Sequence, residues 1–262
     1  MIYKIYQVDT FNFQNFKGNP ACVLQLNKWF ADDHLLKIAQ QNEVSETAFF
    51  IKEESIIHLR WFTPELEMDL CGHGTLAVAF VIKEILGCDL DSLIFSTISG
   101  DLKVSSDNNY YQLDLPSRPP KKTLLPKEIV LSLNIMPYET FKSRDYLLLY
   151  HSEQDIREIQ VNSTFLDKID LGCGGVIVTA KGNDSDFVSR YFTPNSSILE
   201  DPVTGSAHCS LVPFWSSRLG KNNLEAFQLS ERGGRLLCQN SNNRVLVSGQ
   251  AKLSSVKNYN FQ

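Results

Sequence analysis

The stretch RWFTPELEMDLCGHGTLAVAF, residues 60–80, decides the architecture once it is set beside RYFTPNSSILEDPVTGSAH, residues 190–208. RWFTP begins at Arg60 and RYFTP at Arg190, a separation of 130 residues. Gly72 opens an apolar segment closed by Gly87, and Gly205 opens one closed by Gly220, both at a separation of 133. SGDLKVSSDNN from Ser99 then pairs with GGRLLCQNSNN from Gly233 at a separation of 134. Three correspondences in the same order, spaced by about half of the 262 residues, imply two homologous halves.

One half therefore serves as a guide to the other. Gly72 to Leu86, followed by Gly87, reads as a helix with glycine just past its end. Its LAVAFVI segment is apolar on every face and has to be buried all round. Short runs with β character surround it: Ile2 to Val8, Ala21 to Leu26, Thr47 to Lys52, Ile56 to Phe62, Ile94 to Thr97, Leu102 to Ser105 and Tyr110 to Leu115. A sheet curled around the helix is the simplest way to bury both, which gives an α+β fold of two pseudo-symmetric domains. Asp32 to Gln41 predicts an outer amphipathic helix. In the second half Tyr146 to Tyr150, Gly175 to Ala180, Val188 to Phe192, Leu236 to Cys238 and Val245 to Val247 read as strands. Gly205 to Leu219 is the matching central helix, and Pro213 inside it removes a backbone donor and predicts a kink. LPSRPPKKTLLP from Leu115 holds four prolines and no periodic pattern, so the boundary is placed between domains 1–118 and 119–262.

Composition narrows the function. Twenty-five Lys and Arg against thirty Asp and Glu leave a net charge of −5, which leaves no room for a domain-sized basic face and argues against nucleic acid as the main partner. No apolar run approaches the ~20 residues that span a bilayer. Lys4 and Asp9 interrupt the apolar stretch that a secretory leader needs, so a cytoplasmic protein is expected. Six cysteines are spread singly without a CxxC, the pattern of reduced thiols.

Polar residues crowd the two helix starts. Glu65, Glu67, Asp69, Cys71, His73 and Thr75 surround the first; Glu200, Asp201, Thr204, Ser206, His208 and Cys209 surround the second. Backbone N–H groups at Gly72 and Gly205 are candidate anion cradles, which could face each other across an interdomain cleft and grip a small carboxylate. Taken singly, each glycine also fits a simple turn, Asp201 a cap before Pro202, and His73 a satisfied core histidine. Glu46 fits an outward strand residue, a capping acid, or a proton-transfer group whose pKa is raised against a dry cleft. Cys71, His73, His208 and Cys209 supply a zinc-type donor set, but neither pair has the usual spacing, and adjacent residues point about 100° apart on a helix. A binding module without turnover is the non-enzymatic alternative.

The strings VDTFN, GNPACVL, SETAFF, RWFTP…CGHGTLA, RYFTP…EDPVTGSAH and QLSERGG occur in order over nearly the whole chain, and this pattern resembles the PhzF family of phenazine-biosynthesis-like isomerases. The resemblance implies the diaminopimelate epimerase fold, a β-barrel-like sheet around a central helix in each domain, an active site between the domains, and a homodimer. It implies no metal and no organic cofactor. Glu46 of SET resembles the acid/base that moves a proton, His73 of CGH a partner lining the pocket, and Asp201 of EDPVTGSA the second catalytic carboxyl. Ser206 resembles the residue that hydrogen-bonds the substrate, while amides around Gly72, Gly74 and Gly205 would take its carboxylate. The related epimerases use two cysteines; here Cys71 precedes Gly72 but Thr204 precedes Gly205, so two-thiol stereoinversion is not available.

Overall fold

The computed structural model describes residues 2–53 and 56–260. The chain forms two units, residues 1–114 with 248–262, and residues 115–247. The first contains β1 (Ile2–Thr10), β2 (Asn19–Gln25), α1 (Asp32–Asn42), β3 (Glu46–Glu53), β4 (Ile56–Phe62), β5 (Glu67–Met68), α2 (Gly72–Phe80), β6 (Ser92–Thr97), β7 (Gly100–Asp107) and β8 (Tyr110–Pro116). The second contains β9 (Lys121–Lys122), α3 (Lys127–Ser132), β10 (Glu139–Lys142), β11 (Tyr146–Leu149), α4 (Glu153–Glu158) and α5 (Ser163–Leu166). It continues with β12 (Val176–Lys181), β13 (Phe187–Phe192), α6 (His208–Leu219), β14 (Asn223–Gln228) and β15 (Gly234–Ser241). The last strand, β16 (Arg244–Asn260), starts in the second unit and returns to the first.

In the first unit the strand order is β1-β2-β3-β4-β6-β7-β8-β16, and β16 pairs antiparallel with β1 to close the sheet on itself. α2 fills the interior against β1, β2, β3 and β7, with Gly72 through Ala79 all buried. Burying side chains such as Leu76 and Val78 contributes roughly 1.5–3 kcal/mol each, so a helix this apolar is stable only inside such a wrap. Thr47 to Ile51 are buried without alternation because β3 is covered on both faces. Phe49 and Ile51 meet Leu35, Ile38 and Ala39 of α1 on one side, and α2 packs on the other. Beyond Phe80 the helix widens to a π turn over Val81–Ile85 instead of continuing as α-helix to Leu86, and Gly87 follows at φ +71°.

The second unit repeats the pairing scheme. β2 and β3 are parallel, as are β11 and β12; β3–β4 and β12–β13 are antiparallel; β4–β6 and β13–β14 are parallel. α6 packs against β14 and β15 and runs through Pro213 from a short 3₁₀ turn at Gly205–Ala207 to Gly220, at φ +67°. The repeated arginines carry equivalent loads. Arg60 makes bidentate contacts of 2.7 and 2.6 Å to Glu67, Arg190 of 2.7 and 2.8 Å to Glu200, and each guanidinium lies over the phenylalanine two residues on. The homologous halves are therefore not two consecutive segments: β16 carries the chain back to the first unit after the second is complete.

Candidate active site

Two of the four cysteine and histidine positions at the helix starts, Cys71 and His73, gather in the first unit, and with them Glu46. β3 begins at Glu46, and β2 runs parallel beside it with Ala21 opposite Glu46. Asn19 opens β2 because Gly18, at φ +73°, turns the chain into the strand; a side chain there would strike the Thr10 carbonyl. Cys71 caps α2, its Sγ accepting the amide of Gly74 at 3.3 Å. A Cβ on Gly74 would come within 2.9 Å of both Cys71 Sγ and Trp61 Cδ1, so the glycine leaves room for the cap. The next turn is tied by Thr75 Oγ1, which donates to the Cys71 carbonyl at 2.6 Å.

This arrangement places His73 inside a ring of polar partners. Its Nε2 lies 3.0 Å from Glu46 Oε2 and 3.3 Å from Ser45 Oγ. Its Nδ1 lies 3.3 Å from Asn19 Nδ2 and 3.6 Å from Cys71 Sγ. Ser45 Oγ donates to Asn19 Oδ1 at 3.0 Å. The side chains of His73 and Glu46 are 4% and 13% exposed. Glu46 and His73 thus form a close, largely buried ion pair.

The charges follow from this packing. Burial pushes the Glu46 carboxyl up, but the His73 charge and hydrogen bonds from His73 and Ser45 outweigh it and hold the group below its ordinary value. The dry-cleft elevation expected for Glu46 is thus overturned by its histidine neighbour. Burial also opposes the charge on His73, whereas the contact with Cys71 on one side and the Glu46 carboxylate on the other raise it well above the ordinary histidine range. Cys71 is itself raised by burial and stays a neutral thiol near neutrality, so Glu46 supplies the charge that holds the imidazolium. The six cysteines are free.

Glu46, Cys71 and His73 offer ligand atoms within 4.8 Å of one another, which makes them the metal-capable group among the described residues. Glu46 and Cys71 approach opposite ring nitrogens, however, and one ion binds only one of these, so the geometry suits proton traffic across the ring better than ligation. The four-residue zinc set does not assemble as a group of this kind: His208 and Cys209 lie in the second unit, outside it. His208 Nδ1 sits 2.9 Å from the Thr204 carbonyl, and burial lowers its pKa to about 4.

The second unit holds Asp201 and Ser206. Asp201 is half-buried, and its Oδ2 accepts from Thr204 Oγ1 at 2.6 Å. Gln228, from β14, accepts the Thr204 amide at 2.8 Å and donates to the Asp201 carbonyl at 2.8 Å, which fixes this turn. Ser206 Oγ accepts from Arg144 Nη2 at 3.1 Å. Sequence reading did not pick out Asn19, Ser45, Arg144, Asp145 or Gln228. Asn19, Ser45 and Gln228 lie inside the GNP, SET and QLSERGG strings and were visible there, whereas Arg144 and Asp145 fall outside every motif.

A duplicated unit of curled sheet and buried helix defines an α+β fold of the epimerase-like class. A hydroxyproline epimerase from Agrobacterium vitis, at 9% identity, superposes with TM-score 0.63 over 98% of this chain and 92% of its own, a likeness of fold alone. A PhzF-family crystal structure from Enterococcus faecalis is 43% identical and matches with TM-score 0.93 over the whole of both chains. An uncharacterized isomerase of Pseudomonas aeruginosa is 43% identical over 249 residues, 95% of each chain. The profile of phenazine biosynthesis-like proteins, PhzC-PhzF, matches residues 8–256, and the chain belongs to this family. It is an isomerase. No helix among the described residues is long and apolar enough to cross a membrane.

Proposed function

We propose that this isomerase moves a proton within a small carboxylate-bearing substrate without an organic cofactor or metal, with Glu46 as the general acid/base. The observation that carries the reading is the buried 3.0 Å contact between Glu46 Oε2 and His73 Nε2. His73 keeps Glu46 ionised near neutrality, so the carboxylate is ready to take a proton from carbon. The C–H electron pair passes into the substrate's conjugated system, and the protonated Glu46 returns the proton to another carbon on the same face. His73 stabilises the carboxylate between these steps.

Asp201 and Ser206 hold and orient the substrate, and the amides of Gly72 and Gly205 take its carboxylate. Gly74 contributes space, because its own amide is already engaged by Cys71. Thr204 in place of a second thiol leaves stereoinversion by two cysteines without its second acid, which favours isomerisation. The test is a panel of small carboxylates incubated with the protein in D₂O and read by mass spectrometry. Deuterium incorporation that disappears in Glu46→Gln supports the reading; incorporation that survives in this variant overturns it.

A further inference from the structure

Arg144 and Asn19 occupy the same place in the duplicated fold. Each stands two residues before the strand position that opens a parallel pairing, Ala21 opposite Glu46 in one unit and Tyr146 opposite Val176 in the other. Each reaches the residue that follows the helix-opening glycine. Asn19 Nδ2 lies 3.3 Å from His73 Nδ1, and Arg144 Nη2 lies 3.1 Å from Ser206 Oγ. The contact has been kept while both of its partners changed.

The chemistry of the second contact has one direction. A guanidinium has donors and no acceptor, so Ser206 Oγ accepts from it and the hydroxyl proton has to point elsewhere. Arg144 is itself braced: Nε and Nη2 each lie 3.2 Å from an oxygen of Asp145, which also accepts the Gly175 amide at 2.9 Å and the Tyr191 hydroxyl at 3.0 Å. The side chains of Arg144 and Asp145 are 17% and 2% exposed. A fork this enclosed is a fixed donor, unlike a solvated surface arginine.

We propose that Arg144 is a positioning residue: by occupying a lone pair of Ser206 it aims the hydroxyl proton at an oxygen of the bound substrate. The proposal rests on the reading above that Ser206 holds the substrate.

The test is a double-mutant cycle of Arg144→Lys and Ser206→Ala in the full chain. Lysine keeps a cation beside Asp145, so the buried carboxylate is not stranded, but one ammonium does not span both Asp145 and Ser206. Each single variant should lower kcat/KM for deuterium exchange by about ten- to a hundredfold, the effect of one charge-assisted hydrogen bond, and the double variant should be no worse than Ser206→Ala. Thermal midpoints of the same four proteins report the bond without any substrate and should be non-additive. Additive midpoints, or Arg144→Lys with unaltered kcat/KM, overturn the proposal. Absence of exchange by the unaltered protein with every carboxylate overturns the acid/base reading instead, and leaves the bond to be judged by the midpoints.

Discussion

His73 Nε2 stands 3.0 Å from Glu46 Oε2, with Cys71 and Asn19 on the far side of the ring. The pair ties the first turn of α2 to the start of β3, so the proposed acid/base and the packing of the first unit share one contact. Glu46→Gln keeps the shape of the side chain and removes its proton-accepting oxygen. Deuterium exchange should fall by roughly 10²- to 10⁴-fold, the range for loss of a general acid/base, with little change in the circular dichroism spectrum.

Removal of the histidine moves the acid limb of activity. In His73→Gln, burial is left to act on Glu46 without an opposing cation, and its pKa rises. The pH at which exchange is half lost on the acid side should shift upward. A profile that coincides with that of the unaltered protein would falsify the assigned pairing.

Stability should report the same pair. The Glu46 pKa lies below its ordinary 4.5, so its contribution is present above that value and is lost as pH falls through the depressed one. The His73 pKa lies well above 6.5, so its contribution is full below 6.5 and is lost as pH rises through the raised value. Urea midpoints should therefore hold a plateau between 4.5 and 6.5 and decline progressively outside it on both sides. In Glu46→Gln the acid-side loss due to this carboxyl should disappear and the alkaline-side loss due to His73 should shrink.

Cys71→Ser should retain most exchange activity, since a serine hydroxyl can still cap Gly74 and the proton passes through Glu46. Iodoacetamide should label Cys71 slowly at neutral pH because burial keeps it protonated. Loss of activity in the serine variant, with rapid labelling of the native thiol, would transfer the acid/base role to sulfur.

Gly74→Ala should be costly for a reason unrelated to helix propensity, which alanine improves. The added methyl meets Cys71 Sγ and Trp61 Cδ1 at 2.9 Å, and overpacking of this kind costs about 1–3 kcal/mol in denaturant titration. A midpoint equal to or above that of the native protein would show that the cap has slack.

The sequence made the duplication and both central helices legible because glycine punctuation and all-round apolarity survive in each copy. β14 escaped notice because NLEAFQ ends on Gln228, a polar residue buried to hold Thr204 and Asp201. Most of β16 escaped as well: only its first few residues look like a strand, and the rest pairs with β1 through backbone while its side chains stand mostly in solvent. Glu46 and His73 were found through their motifs, but the direction of the Glu46 pKa was not, since spacing says nothing of which charge faces a carboxylate across a barrel. Arg144 had no motif at all, and its equivalence to Asn19 emerges only from strand register.

The return of β16 sets an order of events during protein synthesis. Every residue of the second unit leaves the ribosome before the strand that seals the first, so the later-encoded unit has all of its own segments in hand while the earlier one still presents two open edges, at β1 and β8. The N-terminal lobe is thus the one that waits for β16 to emerge.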